Sequence, residues 1–208
     1  MSPSSRTLAL LLGSLAVLGA ARNASLTGEN LVTALRSGGY VILMRHASSP
    51  PSPPDAAHAN PDNVGHERQL DDDGRASARA MGDAWRRLRI PIGTILSSPT
   101  YRALETIRLG QLGSAKTYSE LGDAGHSMQA DPKGQRGAWI RAQISAPPAH
   151  GTNTLIVTHL PNIAEAFPEE AKGLQDGAAL IFHPEGQGRA TRVGKVRIED
   201  WPRWTAVP

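Results

Sequence analysis

The chain has 208 residues, which suits one domain with a hydrophobic core and a short additional segment. Its composition is that of an ordinary globular protein, with 39% hydrophobic residues, 20% charged residues and a net charge of +3. The 4% aromatic content, without basic runs around it, argues against nucleic-acid binding, and the absence of cysteine excludes disulfides, thiolate metal sites and cysteine nucleophiles.

Residues 1–21 have the pattern of a signal peptide. Arg6 supplies a positive charge, Leu8–Ala20 is apolar, and small residues at positions 19–21 allow cleavage after Ala20 or Ala21. The apolar stretch is shorter than the roughly 20 residues that a membrane-spanning helix needs. We therefore predict a domain at 22–208, periplasmic or secreted in a bacterium, with no stable membrane span. An uncleaved N-terminal anchor is the alternative.

The first buried strand is predicted over Tyr40–Met44. A short helix over Gly28–Arg36 precedes it, and the apolar run then ends abruptly at Arg45 and His46. In open parallel sheets, ligands bind outside the carboxyl ends of the strands. A guanidinium group that can grip an anion therefore stands beside a candidate nucleophile.

The segment after this strand is predicted as a long loop, 48–64, of the kind that covers an active site or is mobile. His58 and His66 are interpreted as solvated loop histidines, because a zinc site built from them lacks a convincing ligand spacing. A packing helix then begins near Asp71. Arg68, just before it, either adds a guanidinium group to the pocket rim or forms a surface salt bridge.

Two further strands also end in polar groups. The strand ending at Ser97 leads into a helix that carries Arg102 in its first turn, where free backbone N–H groups favour an anion. Glu105, three residues on, is expected to pair with Arg102 within that helix. The strand 154–158 ends at His159. If these strands are neighbours in one sheet, two arginines and two histidines meet in an anion site.

The remaining pattern predicts a three-layer α/β/α sandwich with a mainly parallel sheet. It indicates a short strand, two helices, two final strands and two tryptophans that serve as packing groups. These are Lys116–Tyr118, Ala138–Ala142, a helix starting at Pro161, Ala178–His183, Thr191–Ile198, Trp201 and Trp204.

The order of these motifs resembles the histidine phosphatase superfamily, in particular its phosphoglycerate mutase-like branch. The resemblance is carried by Arg45-His46, by the segment Ser97–Thr106, and by the late triplet 157–159. It spans roughly Tyr40–Asn162. This chain has alanine at position 47, where the family usually has glycine, and serine at position 49, where threonine is common.

The resemblance implies a phosphoglycerate mutase-like fold and a phosphoric monoester hydrolase that works through a phosphohistidine at His46. Arg45 and Arg102 would grip the phosphoryl oxygens, and His159, if protonated, would add a third cationic donor. No metal or other cofactor is needed by this scheme.

The leaving oxygen needs a proton, and this branch of the family places its acid near Ser119–Asp123. Glu120 is the first candidate for the proton donor and Asp123 the second. Both remain open on the sequence.

Two other functions remain as alternatives. One is a non-catalytic phosphate- or anion-binding protein of the same fold. The other is a mutase-like phosphotransferase, against which the export signal argues. The expected partner is a small-molecule or cell-envelope phosphate ester. The sequence names neither that ester nor the oligomeric state.

Overall fold

The computed structural model describes residues 25–50, 65–123 and 135–205 of the chain. The predicted signal peptide at 1–21 lies outside these residues. So does the greater part of the predicted loop 48–64, including His58.

The six strands of the described residues form one sheet, in the order β3-β2-β4-β1-β5-β6. Strands β3, β2, β4 and β1 are parallel neighbours, whereas β5 runs antiparallel to β1 and to β6. The three strands that end in polar groups are therefore side by side, and the prediction of a mainly parallel sheet is confirmed. The strands are β1 (Val41–Arg45), β2 (Ile92–Ser97), β3 (Lys116–Thr117), β4 (Asn153–Thr158), β5 (Ala179–Gly186) and β6 (Arg189–Val196).

Helices cover both faces of the sheet, so the three-layer prediction is also confirmed. They are α1 (Gly28–Ser37), α2 (Asp72–Arg87), α3 (Tyr101–Gly110), α4 (Gln135–Ser145), α5 (Leu160–Ala166), α6 (Pro168–Ala171) and α7 (Asp200–Trp204). One core lies between the sheet and α1, α2, α3 and α7, and the other between the sheet and α4, α5 and α6. Among the described residues, no helix is long and apolar enough to cross a membrane.

Strand β1 shows why its sequence is apolar throughout. Successive strand side chains point to opposite faces, so Ile42 and Met44 pack under the first group of helices while Val41 and Leu43 pack under the second. All four are at most 1% exposed. The continuous apolar run is therefore the consequence of burial on both faces.

The start of α2 packs directly on the loop that follows His46. The Asp71 carboxylate caps the helix by accepting the Gly74 N–H at 2.7 Å, and it also accepts the Ser48 hydroxyl at 2.7 Å. A Cβ atom at position 74 would lie 2.0 Å from the Ser48 carbonyl oxygen. Glycine at 74 thus allows the helix to press against the loop and fix its path.

The two C-terminal tryptophans are packing groups, as predicted. Trp201 is fully buried, and its ring meets that of Trp85 edge to face with centroids 5.2 Å apart. Trp204 packs edge to face on Trp201 at 5.1 Å. The short helix α7 that carries them closes the outer end of the first core.

Candidate active site

The carboxyl ends of β1, β2 and β4 meet at one edge of the sheet. The His46 N–H donates to the Thr158 carbonyl at 3.0 Å, and the Ser98 N–H donates to the Val157 carbonyl at 2.9 Å. The imidazole rings of His46 and His159 are consequently in edge-to-face contact, with centroids 5.0 Å apart. The parallel topology therefore brings the two histidines of the sequence motifs together.

The imidazole of His46 is held in one tautomer. Its Nδ1 lies 2.7 Å from the Ala47 carbonyl oxygen, which can only accept, so Nδ1 carries the hydrogen and Nε2 keeps its lone pair. Nε2 makes no hydrogen bond with any residue that the structure describes. Burial, and then the charge of Arg102, lowers the pKa of His46 to about 3. The ring is therefore a neutral, oriented base.

His159 is also neutral. Its Nδ1 lies 3.4 Å from Nη2 of Arg102, which can only donate, so Nε2 carries the hydrogen and faces the hydroxyls of Ser98 at 2.9 Å and Thr100 at 3.2 Å. Burial, followed by the neighbouring His46 and Arg102, holds the pKa of His159 well below its usual value. A protonated His159 is expected only beside a bound phosphate, and this stays a prediction.

Arg102 is completely buried at the start of α3 and forms an ion pair with Asp123. The expected pair between Arg102 and Glu105 is wrong, because Glu105 instead accepts two hydrogen bonds from Arg108, both at 2.6 Å. The sequence favoured this pair because Glu105 lies three positions after Arg102 in the helix. The Arg102 side chain is instead buried and contacts Asp123.

One backbone N–H group in the first turn of α3 is already bound by a carboxylate of the protein itself. The Tyr101 N–H donates to the carboxylate of Glu67 at 2.6 Å, and Glu67 is only 1% exposed. Glu67 therefore accepts from one of the first-turn N–H groups that were expected to favour a substrate anion.

Arg45 and Arg68 complete a cationic lining. Nη1 of Arg45 donates to the Leu174 carbonyl at 3.1 Å, and Nη2 lies 2.5 Å from the Asp176 carboxylate. The charges of Arg45 and Arg68 both lower the pKa of His46, so both guanidinium groups lie near the imidazole. The Nε atoms of these two arginines are buried and have no acceptor among the described residues.

The two candidate proton donors are in different surroundings. Glu120 lies in a 3-10 turn, Ser119–Leu121, and the partner of its carboxylate among the described residues is the Ser119 hydroxyl at 3.1 Å. Asp123 is inside the site but is paired with Arg102, so it acts on that guanidinium. The structure thus brings Asp123, and not Glu120, into contact with the residues of the motifs.

A small network fixes the backbone just before Asp123. Asn162 Nδ2 donates to the Gly122 carbonyl at 2.5 Å and to the Thr158 hydroxyl at 3.0 Å, and Thr158 Oγ1 donates to the Leu121 carbonyl at 2.8 Å. Sequence reasoning gave these residues no role. The sequence did contain one indication of this role. Asn162 comes three residues after His159, so one helical turn brings it back beside the end of β4.

Asp176 was also missed. It precedes β5, which runs antiparallel to β1, and so the start of β5 lies at the same edge as the end of β1. A turn before a final strand is unremarkable in a sequence, because only the strand direction reveals which edge it lies on. Among the described residues, no group of three or more His, Asp or Glu side chains could hold a metal ion.

Comparison with known proteins defines the fold. No family model matches the chain, and no curated protein matches its sequence. Solved structures do match. The protein histidine phosphatase SixA in complex with tungstate is 18% identical, with a TM-score of 0.53 over 77% of this chain and 98% of the other.

Two further matches agree with the first. A phosphoserine phosphatase mutant from Entamoeba histolytica, in complex with phosphoserine, is 12% identical, with a TM-score of 0.51 over 77% of this chain and 98% of the other. A mycobacterial glucosyl-3-phosphoglycerate phosphatase is 14% identical, with a TM-score of 0.51 over 77% and 100%. The fold is that of the phosphoglycerate mutase-like histidine phosphatases, and the resemblance seen in the motifs is confirmed at the level of the fold.

Proposed function

We propose that the protein is a phosphomonoester hydrolase that forms a phosphohistidine on Nε2 of His46. The observation that carries this proposal is a neutral, oriented imidazole in a site lined by three guanidinium groups. Phosphoryl transfer requires a nucleophile in line with the leaving oxygen and neutralisation of the charge on the other phosphoryl oxygens. Both requirements are matched by His46 and its neighbours.

Charge neutralisation falls to Arg45, Arg68 and Arg102. The Nε donors of Arg45 and Arg68 are buried without an acceptor in the described chain, and buried donors left unpaired are rare and costly. A phosphoryl group would supply the acceptors. Removing one preorganised donor of this kind typically reduces the rate by about 100-fold or more.

His159 has a second role in this scheme. Ser98 and Thr100 fix its orientation through Nε2, so the ring cannot turn away from His46. A nearby negative charge favours the protonated imidazole. A bound phosphoryl group is therefore expected to draw a proton onto His159, opposing the effect of burial.

The reaction has two balanced steps. The lone pair of His46 Nε2 attacks phosphorus while the ester P–O bond breaks and the leaving oxygen takes up a proton. Water then attacks the phosphohistidine, the P–N bond breaks, and phosphate leaves as His46 recovers its lone pair. A phosphotransferase would deliver the phosphoryl group to a hydroxyl group instead of to water in the second step.

We also propose that the mature protein, 22–208, acts outside the cytoplasm on a cell-envelope or other extracytoplasmic phosphate ester. The support is the signal pattern at 1–21. The similar structures are named for different substrates, so the fold does not select one. N-terminal sequencing of protein from the native host tests export: a start near Ala21 or Arg22 is expected, and an intact Met1 in the soluble cytosol contradicts it.

The activity is tested with p-nitrophenyl phosphate and a radiolabelled phosphate ester. The unmodified protein should release phosphate and carry an acid-labile, base-stable label, and His46→Ala should lose both. His150→Ala is the matched control, because His150 is exposed in a turn before β4, and it should retain both activities.

Three outcomes contradict the proposal. Activity that survives His46→Ala excludes His46 as the nucleophile. Turnover that depends strictly on an added divalent metal excludes neutralisation by guanidinium groups alone. Phosphate binding without label or turnover across a broad panel of esters favours the binding-protein alternative.

A further inference from the structure

The segment Leu174–Ala178 is attached to the nucleophile's own backbone. The Gly177 N–H donates to the His46 carbonyl at 2.8 Å, and the Arg45 N–H donates to the Ala178 carbonyl at 3.0 Å. Gly177 has a φ of +70°, which glycine adopts without strain. This turn fixes the backbone of the preceding residue, Asp176, beside the Arg45-His46 pair.

The Asp176 carboxylate lies at the rim of the cationic site. It is 2.5 Å from Nη2 of Arg45, its side chain is 27% exposed, and the charge of Arg68 also acts on it. It is therefore close to a guanidinium group that is expected to hold the phosphoryl oxygens, and it is in partial contact with solvent.

Two of the other acids near the site are already paired within the protein. Asp123 has a side chain that is 5% exposed and pairs with the buried Arg102. Glu67 is 1% exposed and caps α3 through the Tyr101 N–H. Glu120, the first candidate on the sequence, is in contact with Ser119.

We propose that Asp176 is the acid that protonates the leaving oxygen, an inference that rests on the proposed phosphatase activity. In the first step, the Asp176 carboxylic acid gives its proton to the leaving oxygen as the P–O bond breaks and the P–N bond to His46 forms. In the second step, the resulting carboxylate takes a proton from the attacking water. Asp176 is then protonated again, and the cycle is balanced.

The surroundings of Asp176 are consistent with proton transfer. Burial raises the pKa of this carboxyl group, while Arg45 and then Arg68 lower it and Asp71 raises it. A doubly negative phosphate ester held by Arg45 would raise it further, because a nearby like charge disfavours the carboxylate. Substrate binding itself would therefore favour the protonated acid.

The test is how far the effect of Asp176→Asn on kcat/KM depends on the leaving group of the substrate. An alkyl phosphate needs a proton on its leaving oxygen, whereas p-nitrophenolate is a weak base and leaves without one. We expect kcat/KM to fall by about 100-fold or more for the alkyl phosphate and by less than about threefold for p-nitrophenyl phosphate. The alkyl-phosphate profile of the unmodified protein should also show an alkaline loss of activity that Asp176→Asn removes.

Asp83→Asn is the matched control. Asp83 pairs with Arg86 at the same 2.5 Å separation on the exposed face of α2, and both activities should be unchanged. Asp176→Glu keeps an acid and should recover part of the alkyl-phosphate activity that Asp176→Asn loses.

Equal losses on both substrates would overturn the proposal, because they would mean that Asp176 only positions Arg45. Unchanged activity on both would overturn it as well. Retained p-nitrophenyl phosphate turnover shows that the variant is folded. Failure of the phosphatase proposal is recognised separately, by the absence of label and turnover in the unmodified protein.

Discussion

The site contains two carboxylate–guanidinium pairs that differ in their exposure to water. The inner pair, Arg102 and Asp123, is almost completely buried, whereas the rim pair, Arg45 and Asp176, has side chains that are 23% and 27% exposed. The inner pair is further held by His159 and by the network around Asn162. The rim pair is held by the turn before β5.

The difference separates two uses of the same chemical pair. A buried carboxylate beside a buried guanidinium group compensates its charge, because either partner alone would be an uncompensated charge in a medium of low dielectric. A partly exposed carboxylate can exchange protons with water. We therefore assign Asp123 to the positioning of Arg102 and Asp176 to proton transfer.

The largest expected effect comes from breaking the inner pair. Asp123→Ala should lower the free energy of unfolding by about 3–5 kcal/mol, because it removes the carboxylate that compensates a buried guanidinium group. Urea unfolding measures the change, with Asp83→Ala as an exposed control that should stay within about 0.5 kcal/mol. A loss below about 1 kcal/mol for Asp123→Ala would contradict the account of the inner pair.

The second effect is the pH dependence of stability, which arises from the burial of His46 in the same site. His46 has a pKa of about 3 in the folded protein and the usual 6.5 when unfolded, so the unfolded chain binds an extra proton between these values. The contribution of neutral His46 to stability is therefore fully present well above pH 6.5 and is lost as the pH falls toward 3. Between pH 6.5 and 4.5, His46 alone should account for about 2 kcal/mol.

His46→Gln isolates this contribution, since it removes the titrating group and leaves the carboxylates of the protein unchanged. Unfolding free energies measured from pH 7 to 4.5 should fall less steeply for the variant than for the unmodified protein. Parallel curves would show that His46 is not held neutral by the fold. His159, whose pKa is lowered in the same direction, should give part of the remaining slope.

The smallest expected effect is that of the rim pair on stability. Asp176→Asn should change the free energy of unfolding by no more than about 1 kcal/mol, because partly exposed ion pairs contribute little. Thermal unfolding of this variant beside Asp123→Asn sharpens the comparison. A loss at Asp176 as large as that at Asp123 would remove the distinction between the two pairs.

Much of the fold was accessible from the sequence, since the pattern of apolar residues indicates which positions are buried. The run Val41–Met44 is apolar because the strand is covered on both faces. The start of helix α2 is indicated by Asp71, which caps it. The short helices α6 and α7 were not predicted. Four or five residues carry too little periodicity, and their place depends on what they pack against.

The candidate site was accessible only in part. Strand ends gave Arg45, His46 and His159, because polar groups after apolar runs are visible in a sequence. The pairing of Arg102 was mispredicted, since the choice between a helical neighbour and Asp123 depends on which way the helix faces. Asp176 could not be found, because its position depends on the antiparallel direction of β5.

The central claim is that His46 attacks through Nε2, and the site of phosphorylation tests it most directly. Nδ1 of His46 is bound to the Ala47 carbonyl, so the phosphoryl group should be attached to Nε2. The intermediate is trapped by rapid base quenching during turnover. Mass spectrometry then identifies the phosphorylated residue, and ³¹P–¹⁵N coupling in NMR spectra identifies the ring nitrogen. A phosphoryl group on Nε2 of His46 is the predicted result; one on Nδ1, on His159 or on any other residue would contradict the account.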